Sequence, residues 1–171
     1  MCEGIKIVKA ESDEEIRNVS ALADRIWHEH YADIIGAQQV DYMMRMFQSE
    51  EKIMSDIREN GYIYYIALEN GRMIGYCGIR PDIGDRAIFL SKLYVEKGSR
   101  GKGMSRIFID HFVRDVGREG YDRVWLTVAK ENLSSIAVYE HLGFEKYEEY
   151  VLDIGGGFVM DDFKMRMRIE S

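Results

Sequence analysis

The feature that most constrains this chain is an apolar, strand-like run that passes through a glycine-containing loop directly into a helical pattern. The run ends at Leu93-Tyr94-Val95, and the loop and helix start read Arg100-Gly101-Lys102-Gly103-Met104-Ser105. Small residues let the backbone approach a ligand closely, and the first N–H groups of a helix can bind phosphate oxygens. The segment therefore predicts an anion site, although a plain tight connection between a strand and a helix has the same composition.

The loop differs from two common phosphate-binding loops. No Gly-Lys-[Ser/Thr] sequence ends it, as a P-loop requires, and it does not follow the first strand of a dinucleotide-binding fold as Gly-x-Gly-x-x-Gly. Its ligand is therefore left open at this point, and a nucleotide stays one alternative.

The rest of the chain predicts an α/β domain with a mixed sheet and helices on its faces. Ser12 and Glu15 form a capping-box pattern at the start of a helix, and Asn70-Gly71 between two β-rich runs is a strong hairpin signal. We expect strands at 5–9, 62–68, 73–79, 87–95, 121–128, 144–152 and 158–169, and helices from 13, around 40–47, and at 49–59, 104–118 and 133–141. The early strands should be antiparallel, and the strand–helix–strand unit around the loop should form a parallel crossover. Because no repeat or linker interrupts the 171 residues, one domain spanning 1–171 is expected.

Charge and composition limit the functional classes. The net charge of −7 argues against general nucleic-acid binding and is compatible with cationic substrates such as amines. No apolar run approaches the length needed to cross a bilayer, and the start lacks the pattern of a signal peptide, so a cytoplasmic protein without a membrane partner is expected. Cys2 and Cys77 have no metal-ligand spacing, and no metal is expected.

A second set of residues follows the loop in the order Asn132, Ala137, Tyr139, Gly143 and Phe144. Together with the loop, this set resembles the GNAT superfamily of acetyl-CoA-dependent N-acetyltransferases. The family's pyrophosphate motif Arg/Gln-x-x-Gly-x-Gly/Ala corresponds to residues 100–105, and its later Asn…Ala-x-Tyr…Gly-Phe signature corresponds to the second set. The resemblance covers about residues 88–144, and a serine at 105 stands where the family usually has Gly or Ala.

The resemblance implies a fold, a donor and several site residues. It implies two central parallel strands that splay apart, with the pantetheine arm of acetyl-CoA paired to the backbone of Leu93, Tyr94 and Val95. The 100–105 loop would bind the pyrophosphate, Asn132 would cap a helix and contact the cofactor, and Tyr139 would protonate the departing thiolate. A phenol of pKa about 10 can protonate the thiolate of a thiol of pKa about 8.5 at modest cost. A tyrosine ring that merely packs on the sheet is the alternative for Tyr139.

The acceptor implied by the resemblance is a primary amine that attacks the thioester directly, with small amines or polyamines preferred to a protein N-terminus. An alkyl amine is protonated at neutral pH, so its proton needs an acceptor. Some relatives use a Glu on the strand bearing Thr127 or on the strand bearing Phe89 and Ser91, and this sequence has none there. The remaining candidates at the end of the first helix are His28, Glu29, His30 and Asp33, and a chain of water molecules is equally good.

Three further possibilities stay open in the sequence. Asp161 or Asp162, after a glycine-rich turn at 155–157, could attract a cationic amine. The missing strand carboxylate favours a rival function, an acyl-CoA-binding sensor without turnover. A homodimer is possible, since proteins of this family often dimerise.

Overall fold

The computed structural model of the protein describes residues 4–169, without the side chain of Arg118. Within that range the strands form one sheet in the order β1-β2-β3-β4-β5-β7-β6. The strands are β1 Ile5–Lys9, β2 Ile63–Glu69, β3 Arg72–Asp82, β4 Ala87–Val95, β5 Arg123–Ala129, β6 Glu145–Gly155 and β7 Phe158–Arg168. The helices are α1 Asp13–Ile35, α2 Ala37–Phe47, α3 Glu50–Glu59, α4 Met104–Val116 and α5 Leu133–Leu142. The mixed α/β fold predicted from the sequence is confirmed.

Local signals in the sequence form as predicted. The Ser12 side chain accepts from the backbone N–H of Glu15, and the Glu15 carboxylate accepts from the backbone N–H of Ser12 at 3.0 Å, which completes the capping box of α1. Asn70 and Gly71 both have positive φ, 52° and 82°, as the tight turn between β2 and β3 requires.

One helix boundary was predicted wrongly. We expected the helix after the loop to run to residue 118, but α4 ends at Val116. Gly117 has φ 92°, a conformation outside the helical region, and its N–H closes the last turn on the carbonyl of Val113. A short 3₁₀ turn, Arg118–Gly120, follows it.

The central pair of strands separates along its length. β4 and β5 pair in parallel only through Ala87–Phe89 and Arg123–Trp125. Beyond that point β5 stays paired with β7 as far as Ala129, while β4 stays paired with β3 as far as Val95. The register of β3 and β4 also shifts by one residue at Ser91, which forms a β-bulge. The sheet is therefore continuous at one end and open at the other.

Helices cover both faces of the sheet. α4 and α5 pack with one face in a core that includes Phe108, Phe112 and Ile136. On the other face, α1, α2 and α3 pack in a second core on β1 to β4, around Tyr64 and Tyr76. Among the described residues, no β5 side chain belongs to this second core. The three N-terminal helices thus leave the β5 side of the opening uncovered.

Candidate active site

A cleft of about 1520 Å³ lies where β4 and β5 separate. Its walls are the C-terminal half of α1, α2, the start of α4, and α5, and its floor includes residues of β4, β5 and β7. Most of the site residues expected from the sequence lie on it: Leu93, Tyr94, Val95, Arg100, Gly101, Gly103, Met104, Ser105 and Tyr139. Lys102 and Asn132, both within the described chain, do not line it. The topology thus brings together residues that lie up to 46 positions apart in the sequence.

The start of α4 faces this cleft without a cap. Gly103, at its N-cap position, has φ 73° and offers no side-chain acceptor, and the first turn contains no acidic residue. By contrast, side-chain oxygens cap α1, α3 and α5. The Nε of Arg100 donates to the carbonyl of Val95 at 3.0 Å, which holds the guanidinium against the end of β4. The first-turn N–H groups of α4 are therefore directed at the cleft with a positive helix end behind them.

A buried carboxylate that the sequence reasoning missed holds the loop in place. Glu96, directly after β4, is 9% exposed and pairs with Arg72 at 2.6 Å and with Arg25 at 2.9 Å. It also accepts from the Ser99 hydroxyl at 3.2 Å. Arg72 is the largest reason that the pKa of Glu96 is lowered. This cluster ties α1, β3 and the loop together, and no local sequence pattern signals it.

Lys102 points away from the cleft. Its ammonium lies 3.5 Å from a carboxylate oxygen of Glu69 at the end of β2. Its side chain is thus directed at the end of β2.

The floor of the cleft on the β5 side is aromatic and carries charge. Phe89 stacks on Trp125 with ring centroids 4.2 Å apart. The guanidinium of Arg80 lies 5.6 Å from the Phe89 ring, and the ammonium of Lys164 lies 5.7 Å from the Trp125 ring. On β7, opposite Ala129, Asp162 also lines the cleft and is only 4% exposed, and this burial raises the pKa of its carboxyl to about 6.

A second buried charge, Lys92 on β4, lies at the α3 end of the cleft. Its ammonium donates to the Phe47 carbonyl at 2.9 Å and to the Tyr64 hydroxyl at 2.6 Å, and it lies 4.0 Å from Asp56. Burial lowers the pKa of Lys92 to about 8. These contacts join β4 to α2, α3 and β2, and they give Lys92 a structural role that the sequence did not reveal.

Comparison with known proteins identifies the family. The sequence model of the Acetyltransferase (GNAT) family matches residues 22–144. The chain belongs to this family. It is therefore an acyltransferase that uses acetyl-CoA, and the resemblance noted in the sequence is confirmed.

Individual relatives agree with this assignment. The ribosomal protein bS18-alanine N-acetyltransferase of Escherichia coli is 23% identical over 114 residues, 67% of this chain and 76% of that protein. The crystal structure of the PaiA N-acetyltransferase from Thermoplasma acidophilum in complex with coenzyme A has a TM-score of 0.77 at 20% identity, covering 96% of this chain and 99% of that one. A mutant of the spermidine N-acetyltransferase SpeG from Vibrio cholerae has a TM-score of 0.68 at 16% identity, covering 98% and 95%. At such identities the structural likeness shows the GNAT fold.

Two absences can be stated for residues 4–169. No helix in that range is long and apolar enough to span a bilayer. In the same range, no group of three or more His, Cys, Asp or Glu side chains is arranged to hold a metal ion.

Tyr139, the acid candidate of this GNAT chain, is a protonated phenol. Its ring lines the cleft and contacts Phe144 edge-on with centroids 5.4 Å apart. Burial raises the pKa of its hydroxyl, and Tyr31 raises it further. The proton is therefore present throughout the neutral range, and the same rise makes its transfer to a thiolate more costly than from an ordinary phenol.

Asn132 is fully engaged within the protein. It is 1% exposed, its side-chain oxygen accepts from the backbone N–H of Ser135 at 3.3 Å, and its Nδ2 donates to the Tyr31 hydroxyl at 3.0 Å. The N-cap role predicted for it is confirmed. These contacts join α5 to α1 across one wall of the GNAT cleft.

Of the four base candidates on α1, all of them described, His30 alone lines the cleft. Burial, and then the charge of Arg100, lower the pKa of His30, so its imidazole is neutral at pH 7. It lies edge-on against Tyr31 with centroids 4.6 Å apart. Glu29, Asp33 and His28 lie outside the cleft lining.

His28 instead ties α1 to α2. Its Nδ1 lies 2.8 Å from the backbone carbonyl of Asp24, and its Nε2 lies 2.7 Å from the carboxylate of Asp41. Both partners are acceptors, so they favour the protonated imidazole, in which both ring nitrogens donate. The Asp24 carbonyl is the largest reason that the pKa of His28 is raised, and Asp41 is the next.

We expect His28→Gln to lower the melting temperature at pH 5.5 and to have little effect at pH 9. Because the folded-state pKa is raised, the stabilisation is fully present below the unfolded pKa of about 6.5 and is lost as the pH rises through the folded value. Differential scanning calorimetry of both proteins at the two pH values measures this. A deficit that is larger at pH 9 than at pH 5.5 would contradict the assignment.

Proposed function

We propose that the protein transfers the acetyl group of acetyl-CoA to a primary amine by direct attack within a ternary complex, with small amines or polyamines ahead of a protein N-terminus. The observation that carries the proposal is the opening between β4 and β5, which leads from the uncapped start of α4 to the Tyr139 hydroxyl. An elongated thioester with an anionic end matches that path in shape and charge.

The donor half of the cleft fits coenzyme A. We assign the pyrophosphate to the first-turn backbone of α4 and to Arg100, and the pantetheine arm to the backbone of Leu93–Val95, whose β5 side is open. The indole Nε1 of Trp27 supports this assignment. It is buried at the cleft against Tyr94, has no acceptor of good hydrogen-bond geometry among the described residues, and lies close enough to the Tyr76 hydroxyl to oppose the rise that burial causes in the pKa of that hydroxyl. An amide carbonyl of the arm would satisfy it, since buried donors are rarely left unpaired.

In the proposed reaction, Tyr139 transfers protons and Asn132 positions it. The neutral amine attacks the thioester carbonyl carbon, a C–N bond forms and the C–S bond breaks. Tyr139 donates its proton to the departing thiolate and regains one from the nitrogen, which must lose a proton to become an amide. Asn132 acts as a positioning residue in this scheme, because its contacts hold α5, and with it Tyr139, against α1.

The preference for a small amine or polyamine rests on the net charge of −7 and on the buried carboxylate at the acceptor side. Arg80 and Lys164 on the same floor limit the length and charge of the acceptor, because they repel the distal charges of a long polycation. Short amines with one or two charges are therefore the first acceptors to test.

A thiol-release assay tests the proposal. Acetyl-CoA and the protein are incubated with a panel that contains a monoamine, spermidine and a peptide with an N-terminal alanine, and free CoA thiol is measured with time. We expect release that depends on at least one small amine, and acetylated amine in equal amount by mass spectrometry. Saturable binding of acetyl-CoA without release for any amine would overturn the proposal and favour a sensor.

A further inference from the structure

The sequence offered Asp162, with Asp161, as a residue that could attract a cationic amine, but did not name it as a base. We propose that Asp162 is the residue that binds the ammonium group of the acceptor and accepts its proton before attack. This inference rests on the proposed function, since it names the group that completes the acceptor half of the same site.

The position of Asp162 follows from the strand register. Asp162 is opposite Ala129, and Lys164 is opposite Thr127, so these side chains share one face of the sheet with Trp125. That face is the side of β5 that the N-terminal helices leave uncovered. Asp162 is 4% exposed and what remains accessible of it lies in the cleft. The carboxylate is thus within the opening left by β4, not on the outer surface.

The surroundings of Asp162 make its carboxylate a stronger base than a surface one. Burial is the largest influence on its pKa, which it raises to about 6, and the neighbouring charge of Asp161 acts in the same direction. The nearby Thr127 hydroxyl and the Lys130 ammonium both oppose that rise. Two other groups face it, Tyr150 opposite it on β6 and Lys164 on the same strand. At neutral pH it remains ionised and able to pair with an ammonium.

Its neighbour Asp161 lacks these properties. The Asp161 side chain is 60% exposed and is bound by Lys130 at 2.8 Å. Asp161 also lines the cleft, but it is an exposed ion pair there, whereas Asp162 is buried.

Of the other carboxylates, Glu131 lines the cleft but is exposed, and the buried Asp56 is engaged elsewhere. The carboxylate of Asp56 accepts from Lys52 at 2.9 Å and from Asn60 at 3.0 Å. His30 lies close enough to Arg100 and Asn132, on the proposed donor side of the cleft, for both to act on its pKa. Among the described residues, Asp162 is accordingly the buried carboxylate of the cleft that is not held in a salt bridge.

The proposed reaction conserves protons and bonds over one turnover. The ammonium R–NH₃⁺ gives one proton to the Asp162 carboxylate, which becomes a carboxylic acid, and the amine lone pair is released. The neutral amine then forms the C–N bond as the C–S bond breaks. Asp162 returns its proton to water after the amide leaves, so each turnover releases one proton, one amide and one CoA thiol.

Asp162→Asn tests the proposal, with Asp153→Asn as the matched control, since Asp153 is exposed on β6 and lies outside the cleft lining. We expect Asp162→Asn to lower kcat/KM by about 100-fold or more, as the loss of a general base does. It should also remove the fall in kcat/KM below pH 6 that we expect of the wild type. Asp153→Asn should stay within about threefold of the wild type, because an asparagine oxygen can still accept from the Gly155 N–H.

A binding measurement separates this proposal from the proposed function. With CoA bound, titration calorimetry of a small amine should give at least tenfold weaker binding to Asp162→Asn than to the wild type and to Asp153→Asn. That result supports Asp162 as the ammonium site even if no turnover is seen. Equal amine binding to all three proteins would overturn the proposal. It would also be overturned if Asp162→Asn kept the wild-type pH profile of kcat/KM, or if the fall below pH 6 were removed by His30→Gln instead.

Discussion

Tyr139→Phe is expected to lower kcat by about 100- to 1000-fold while the affinity for acetyl-CoA stays within about twofold. General acid catalysis contributes on the order of 10² to 10⁴ in rate, and the phenylalanine ring keeps the packing against Phe144. A continuous or discontinuous thiol-release assay gives kcat, and titration calorimetry gives the affinity for acetyl-CoA. Tyr147→Phe is a suitable control, because Tyr147 is exposed on β6 and outside the cleft lining.

The pH dependence of kcat adds a second test of Tyr139. Because burial raises its pKa above the ordinary value of 10, the wild-type rate should not fall through phenol ionisation below about pH 10. A Tyr139→Phe protein with an unchanged rate across this range would exclude Tyr139 as the acid and leave it a packing residue.

Ser105→Glu is expected to weaken acetyl-CoA binding by about 100-fold or more without unfolding the protein. Ser105 lies on the cleft in the first turn of α4, where a carboxylate would face the pyrophosphate. Like charges about 4 Å apart repel by a few kcal/mol near a protein surface, and 1.4 kcal/mol corresponds to tenfold in affinity. The same carboxylate interacts favourably with the positive helix end, so the melting temperature should be unchanged or higher.

Gln38→Glu is the matched control for this experiment. Gln38 holds the equivalent first-turn position of α2, is exposed and does not line the cleft. We expect its affinity for acetyl-CoA to equal that of the wild type in titration calorimetry. If Ser105→Glu binds acetyl-CoA as the wild type does, the pyrophosphate is not at the start of α4.

Much of the fold was predictable because it depends on short-range signals. The capping box at Ser12 and the Asn70-Gly71 turn each require only a few adjacent residues, and both form as expected. The loop after β4 was predictable for the same reason, since positive φ at Gly101 and Gly103 is a property of the glycines themselves. The α4 boundary was missed by two residues because Gly117 ends the helix earlier than its apolar pattern suggests.

The acceptor half could not be predicted in the same way. Whether His28 or His30 faces a cleft depends on how α1 packs on the sheet, and the two residues prove to face different surroundings. The burial of Asp162 arises from its register with β5, and Glu96 gains its partners from α1 and β3. These are long-range properties without a local pattern. The cofactor contacts of Asn132 and Lys102, a homodimer, a single domain over the whole chain and a cytoplasmic location stay predictions.

The two tryptophans of the chain both line the cleft, one at each half. Trp27 lies against Tyr94 beside the expected path of the pantetheine arm, and Trp125 lies on Phe89 at the acceptor floor. The emission of an indole depends on its polarity, hydrogen bonding and neighbouring charges. The protein therefore carries an intrinsic fluorescent reporter in each half of its site, so that the order in which donor and acceptor bind can be followed without any label.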